Sequence, residues 1–137
     1  MSSQSLCPRS RAHADYLNLA LWTLQGWLAM FFIAAGYAKL TEPMTNLVQL
    51  MAWPALASEA FVRGLGIAEL VLAVGVLAPL VSWRVGRPML LVSAAGLAVL
   101  ELIMLGVHLI GLEVGLAVVN VFLLAITVPV LLGRRAA

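Results

Sequence analysis

The sequence predicts an all-α integral membrane protein, a four-transmembrane-helix bundle with a short amphipathic helix between the first two spans. Of the 137 residues, 64% are hydrophobic and only 10% are charged, and mean hydropathy is +1.07. Soluble domains carry about 25% charged residues. A chain this short has too little interior to bury so much apolar surface, whereas lipid removes the need to bury it. Composition therefore indicates a membrane protein with one domain.

Four apolar runs are long enough to cross a hydrocarbon core of about 30 Å at a rise of about 1.5 Å per residue. They are predicted to form the membrane domain 17–133, with spans at 17–40, 61–81, 89–110 and 114–132. Residues 1–16 and 134–137 are predicted to be polar cytoplasmic tails. The first run exceeds the apolar region of roughly 7–15 residues in a signal peptide, so we interpret it as a retained span.

The connection between the first two spans has an amphipathic pattern. We expect Thr41 to cap a short helix with Pro43 near its first position, and Pro54 to end the pattern. Trp53 is expected at headgroup level. Apolar residues recur there at helical spacing: Met44, Leu47, Val48 and Met51. A tight basic turn is predicted at 82–88.

Charge placement predicts the orientation. Six of the eight basic residues fall on one side if the chain crosses four times: Arg9, Arg11, Arg84, Arg87, Arg134 and Arg135. Lys39 and Arg63 lie towards the other side, together with Glu42, Glu59 and Glu113. The positive-inside rule then places both termini in the cytoplasm. The pattern is that of a multi-pass membrane protein, in contact with the bilayer and not with nucleic acid.

Several chemistries lack the residues that they need. Cys7 is the single cysteine, so an intramolecular dithiol cycle or disulfide is excluded within the chain. We interpret it as an ordinary cytosolic thiol, with palmitoylation as the alternative. His108 is the single membrane histidine, which excludes bis-histidine haem and makes a zinc site unfavourable. The sequence thus identifies no metal site and no cofactor.

The candidate functional residues form a polar layer in the outer half of the predicted bundle. Glu69 lies about 10 Å below the outer end of its span, Glu101 about 14 Å and Asn120 about 9 Å. Ionisable groups within a membrane are costly, and they mark functional sites by default. Three further polar residues lie near the outer helix ends: Lys39, Arg63 and His108.

Helical spacing places these residues on stripes that also carry small residues, as expected at an interface between membrane helices. The four stripes are Gln25, Ala29, Phe32, Gly36 and Lys39; Gly66, Glu69, Ala73 and Val76; Ala94, Ala98, Glu101, Leu105 and His108; and Ala117, Asn120, Leu124 and Thr127.

Two interpretations of the layer remain open. Buried pairs such as Lys39 with Glu69 and Arg63 with Glu101 would fix the register of the helices. Alternatively, the same residues line a pocket that opens outward. A ligand site requires a cavity that reaches the carboxylates, whereas structural pairs should be closed and mutually bonded.

The chain resembles the DoxX family of small four-helix bacterial membrane proteins. The resembling residues are Gly36-Tyr37-Ala38-Lys39-Leu40, the connection with Pro54, the segment Arg63-Gly64-Leu65-Gly66-Ile67-Ala68-Glu69-Leu70, and His108. The similarity spans about residues 20–132. It implies a four-helix bundle in the inner membrane. The family takes its name from a quinone-linked oxidoreductase subunit, while other members resemble partners or assembly factors of redox enzymes.

Two hypotheses follow from the resemblance and the polar layer. In the first, the layer binds the head group of a quinone. Glu69, Glu101 and His108 exchange protons, Lys39 and Arg63 stabilise an anion, and a redox-enzyme partner supplies electrons. In the second, the protein is a non-catalytic accessory or scaffold subunit whose buried charges are structural. The sequence leaves the ligand, the partner and the oligomeric state open.

Overall fold

The computed structural model describes residues 8–136, which are helical apart from short connections. The five α-helices are α1 Pro8–Thr41, α2 Met44–Met51, α3 Glu59–Leu77, α4 Trp83–Ile110 and α5 Val114–Ala136. Short 3-10 turns follow α2 and α3, at Trp53–Leu56 and Ala78–Leu80. Within these residues four helices are long and apolar enough to cross a membrane. The predicted fold class is confirmed, and the protein is a multi-pass membrane protein.

The long helices form a ring in which each packs against two others. α1 contacts α3 and α5, and α4 contacts the same two helices. All four predicted stripes lie on the inner faces: most of their residues are buried, and Ala98, Leu105 and Leu124 are partly buried. A core cluster of Leu28, Phe32, Ala73, Val76, Leu97 and Leu123 fills the middle of the ring. Lipid-facing positions remain apolar and exposed, as expected where the solvent is hydrocarbon.

α1 and α3 cross closely because a glycine from each helix lies at the crossing. A Cβ added to Gly36 would lie 2.7 Å from the carbonyl oxygen of Gly66, and one added to Gly66 would lie 2.8 Å from Cβ of Lys39. Small residues permit this approach of two membrane helices. The crossing sets the distance between the side chains of Lys39 and Glu69.

Several helix boundaries differ from the sequence prediction. α1 spans Pro8–Thr41, so the polar residues 8–16 belong to the first helix. The predicted basic turn at 82–88 is wrong, since α4 begins at Trp83 and contains Pro88 in its second turn. Pro88 lies beyond the first turn, so the carbonyl of Arg84 lacks its usual backbone N–H donor there. Pro79 instead ends α-helical geometry, and Ala78–Leu80 is a 3-10 turn.

The amphipathic helix is present, but its start and its tryptophan differ from expectation. Pro43 occupies the N-cap position of α2. Thr41 is the last residue of α1, and its hydroxyl donates to the carbonyl of Tyr37, so Thr41 is not the predicted cap. Trp53 is 8% exposed and packs with Leu47 and Val62. The indole is therefore a covered side chain between α2 and the bundle.

The two ends of the bundle differ in charge. The end with the start of α1, the end of α5 and the turn between α3 and α4, here named the arginine end, carries Arg84, Arg87, Arg134 and Arg135. The opposite end, here named the glutamate end, carries Glu42, Glu59 and Glu113. The polar layer predicted from the sequence lies towards the glutamate end.

Candidate functional site

A cavity of about 110 Å³ lies inside the bundle towards the glutamate end. All four long helices contribute to its lining. Five of the six predicted ligand residues reach it: Lys39, Glu69, Glu101, His108 and Asn120. The remaining lining is largely apolar and aromatic, including Phe31, Phe32, Met51, Trp53 and Met104. A concave, mostly apolar pocket with a few convergent polar groups is the usual form of a small-molecule site.

Lys39 and Glu69 form a closed ion pair at one side of the pocket. Nζ of Lys39 lies 2.7 Å from Oε2 of Glu69, and the two residues are 4% and 5% exposed. Lys39 is in the last turns of α1, and Glu69 is three residues beyond Gly66 on α3. The glycine crossing thus holds the pair together. Removing one partner would leave a buried charge uncompensated, at a cost of about 3–5 kcal/mol.

Arg63 does not line the pocket; it binds the backbone at the end of α1, next to the pocket. Its Nη1 donates to the backbone carbonyls of Lys39 and Glu42, the latter at 2.8 Å. Nη2 donates to Oε1 of Glu59 at 3.0 Å, one turn earlier on α3. The predicted pairing of Arg63 with Glu101 is therefore absent. Arg63 instead caps the C-terminus of α1, where orphan carbonyls and the helix dipole both favour a cation.

Glu101 has one oxygen without a partner. Oε1 accepts a hydrogen bond from the Thr127 hydroxyl at 2.6 Å, and the residue is 2% exposed. Oε2 is buried and has no hydrogen-bond partner among the described residues. Buried polar atoms are rarely left unsatisfied, and an exception in a native structure requires an explanation. This unpartnered oxygen distinguishes Glu101 from Glu69, whose carboxylate is paired with Lys39.

Thr127 makes the Glu101 contact adaptable. Its hydroxyl lies 3.0 Å from the carbonyl oxygen of Leu123 as well as 2.6 Å from Glu101. A hydroxyl has one hydrogen, so it cannot donate to both acceptors at once. A proton on Glu101 would let the carboxyl donate to Thr127 while Thr127 donates to Leu123. The local hydrogen bonds therefore accommodate either protonation state of Glu101.

His108 links the pocket to the glutamate end. Its Nδ1 lies 2.6 Å from Oε2 of Glu113, which follows α4 in the short turn to α5. His108 is buried, whereas the Glu113 side chain is 31% exposed. Asn120 donates to the carbonyl of Leu116 at 2.9 Å, which leaves its amide oxygen and second N–H for other partners. These two residues complete the polar lining.

Other contributors could not be identified from residue spacing alone. Thr127 was on the predicted stripe of the last span, but its bond to Glu101 depends on how α4 and α5 pack. Met51 and Trp53 reach the pocket because the connection folds back over the bundle. Among residues 8–136, no group of three histidine, cysteine, aspartate or glutamate side chains could hold a metal ion.

Comparison with known proteins agrees with this architecture. The chain matches the DoxX-like family over residues 23–130, most of its length. The chain belongs to the DoxX-like family. No curated protein and no solved structure gives a significant match.

The matched region of this DoxX-like protein contains every residue that lines the pocket. The glycine crossing, the capping arginine and the buried pair all lie within it as well. Arg134, in the last turn of α5, lies beyond it. Membership establishes the kind of membrane protein and does not define its activity.

Proposed function

We propose that this DoxX-like protein binds the ring head group of a quinone or quinol in the pocket and exchanges a proton with it through Glu101. The observation that carries the proposal is the buried, unpartnered Oε2 of Glu101. A carboxylate there accepts from a quinol hydroxyl, and a protonated carboxyl donates to a quinone carbonyl. Electrons would come from a separate redox-enzyme partner.

The size of the pocket supports insertion of a ring edge. A dry apolar cavity of about 150 Å³ accommodates benzene, and this cavity is about 110 Å³. A substituted ring would therefore enter in part, with its tail outside. Phe31 on α1 and Val119 on α5 border the pocket, and each is 40% exposed. Both face lipid, so the tail of a lipid-soluble ligand would leave between these helices.

The charge asymmetry supports an orientation for the proposed site. The arginine end would face the cytoplasm of a bacterium, with both termini, by the positive-inside rule. The pocket then lies in the outer half of the inner membrane. Protons taken from or given to a ligand would pass near His108 and Glu113, since this pair leads to the outer surface.

Binding is tested with a short-tailed benzoquinone added to purified protein, following quenching of tryptophan fluorescence. Trp53 lines the pocket, so wild-type protein should show saturable quenching, and Trp53→Phe should lack that component. Glu101→Leu should weaken binding by about tenfold, the equivalent of one hydrogen bond to a buried group. It should remain folded, because the Thr127 hydroxyl can still donate to Leu123.

Glu59→Gln is the matched control, since it removes a carboxylate from an exposed rim position whose partner is Arg63. It should bind the quinone as wild type does. Glu101→Gln should retain binding, because an amide both donates and accepts, but it should not take up a proton. Equal quenching in wild type and Glu101→Leu would exclude Glu101 as the ligand contact.

The closed Lys39–Glu69 pair supports a second candidate function, that of a non-catalytic accessory subunit. Mutual bonding and near-complete burial are the features expected of a structural pair. In this alternative the pair fixes the α1–α3 register, and the glutamate end presents α2 to a partner protein. The quinone titration distinguishes the two candidates, since an accessory subunit should show no saturable quenching.

A further inference from the structure

A second polar cluster lies at the arginine end, away from the pocket. Arg134 is 2% exposed although it lies in the last turn of α5. Its Nε donates to Oε1 of Gln25, and its Nη1 donates to Oδ1 of Asn18 at 2.7 Å. The guanidinium lies between two indole rings, 4.9 Å from the centroid of Trp22 and 5.3 Å from that of Trp83.

No carboxylate among residues 8–136 pairs with this cation. Both of its hydrogen-bond acceptors are neutral amides. Its Nη2 is buried without an acceptor among those residues. The indole rings stabilise the charge through cation–π contact but offer Nη2 no lone pair. A buried charge is normally paired, so the cluster is one anion short.

The surroundings of Arg134 favour an anion and disfavour a cation. Arg87 lies on the facing turns of α4 and donates to the carbonyls of Arg134 and Arg135, at 3.2 and 3.0 Å. Arg84 lies three residues before Arg87 on α4. Asp15 is the one acidic side chain of the described residues at this end, and it is exposed. The arginine end therefore has a strong excess of positive charge.

An apolar groove runs beside Arg134 on the surface between α1 and α5. Arg134 and Asn18 form its polar part. Its apolar walls are Ala14, Leu17, Leu21, Pro129 and Gly133. A groove of this composition matches one acyl chain, and a cation at its polar end matches a phosphate. Trp83, whose ring lies 5.3 Å from the guanidinium, is 41% exposed, so this cover over the cation is at the surface of the bundle.

We propose that Arg134 and this groove form a binding site for an anionic phospholipid. The phosphate would accept hydrogen bonds from Nη2 of Arg134, and an acyl chain would lie along the walls from Ala14 to Pro129. Guanidinium groups suit this role because their planar donors match phosphate oxygens. The site is separate from the pocket at the glutamate end and does not depend on its function.

Native mass spectrometry of detergent-purified full-length protein tests the site. The protein is incubated with equal amounts of phosphatidylglycerol and phosphatidylcholine of matched chain length, and the ratio of the two adducts is measured. Wild type should favour phosphatidylglycerol. Arg134→Gln should lower that ratio by about tenfold, the worth of one charge-assisted hydrogen bond. Arg135→Gln removes a neighbouring exposed charge and should leave the ratio unchanged.

Ala14→Trp tests the groove without touching any bond of Arg134, and it decides the matter if Arg134→Gln does not fold. It should reduce the phosphatidylglycerol adduct while leaving the melting temperature unchanged. Equal phosphatidylglycerol adducts in wild type and Ala14→Trp would rule out the groove as the lipid site. Equal ratios in Arg134→Gln and Arg135→Gln would overturn the role of Arg134. Loss of the preference in excess inorganic phosphate would show a free-anion site instead of a lipid site.

Discussion

The two membrane carboxylates differ in their hydrogen-bond partners. Glu69 has a lysine at 2.7 Å, whereas Glu101 has a neutral threonine and one free oxygen. Sequence spacing predicted that both residues face the bundle interior, because each recurs with small residues on a helical stripe. The sequence suggested Lys39 as a partner for Glu69 and Arg63 as a partner for Glu101, and only the first pair forms, since pairing depends on the packing distances between helices. In the structure Glu69 is paired with Lys39, and Glu101 has the carboxylate oxygen without a hydrogen-bond partner.

At the residue scale, we predict that Glu69→Gln destabilises the protein by about 3–5 kcal/mol, because it leaves Lys39 charged and buried. The double change Lys39→Met with Glu69→Met should recover most of that loss, since it removes both charges from an apolar environment. Unfolding in denaturant, monitored by circular dichroism, measures both variants. Equal destabilisation in Glu69→Gln and the double variant would mean that removing the second charge recovers no stability, against the prediction.

The double methionine variant also separates structural from functional roles for the pair. If Lys39 and Glu69 act only in packing, the double methionine variant should bind a benzoquinone as wild type does. If the pair also contacts the ligand, affinity should fall while stability is retained. Neither result affects the assignment of Glu101, whose hydrogen bond is with Thr127 and involves neither member of the pair.

At the element scale, the C-terminal part of α1 and the N-terminal half of α3 form one close contact. Gly36 and Gly66 allow the helices to touch, Arg63 caps the carbonyls of α1, and Lys39 meets Glu69 one turn further along α3. Helical spacing predicted that small and polar residues of these helices share an interface with another membrane helix. It did not predict the role of Arg63, because a long side chain can reach either the pocket or the neighbouring helix end.

We predict that Gly66→Ala weakens this contact between α1 and α3 and destabilises the protein. Its new Cβ would lie 2.8 Å from Cβ of Lys39 and 2.9 Å from the carbonyl oxygen of Gly36, so α1 and α3 must separate. Overpacking of this kind costs about 1–3 kcal/mol. Gly64→Ala is the control on the same helix, since nothing lies within 4 Å of its added Cβ. The control should gain up to about 1 kcal/mol from helix propensity.

Thermal unfolding in detergent compares the two alanine variants. A lower melting temperature for Gly66→Ala and an unchanged or higher one for Gly64→Ala would support the close crossing. If both glycines tolerate alanine equally, helix contact at Gly66 is looser than the structure indicates. The pair also controls for the general effect of replacing glycine within a membrane helix.

At the scale of the whole molecule, the apolar runs and their periodicity were sufficient to predict the four-helix bundle and the inner face of each helix. The ends were harder to predict. Arg134 was assigned to a polar tail because it follows the apolar run, yet its side chain returns along α5 to Gln25. Trp53 was placed at the headgroups but is covered by its neighbours. Long side chains at span ends can reach inward, and hydropathy alone does not report their direction.

The charge asymmetry leads to a prediction for the orientation of the whole chain. Cys7 is the only cysteine, so it reports the side of the N-terminus without any substitution. In intact bacterial cells a membrane-impermeant maleimide should not label wild-type protein, and permeabilisation should expose Cys7. Placing the single cysteine at Leu112, in a Cys7→Ser background, should reverse the result. Leu112 is 85% exposed in the turn between α4 and α5, so its accessibility depends on the side of the membrane. Labelling of Cys7 in intact cells would put the arginine end outside, against the positive-inside rule, and would place the pocket in the cytoplasmic half.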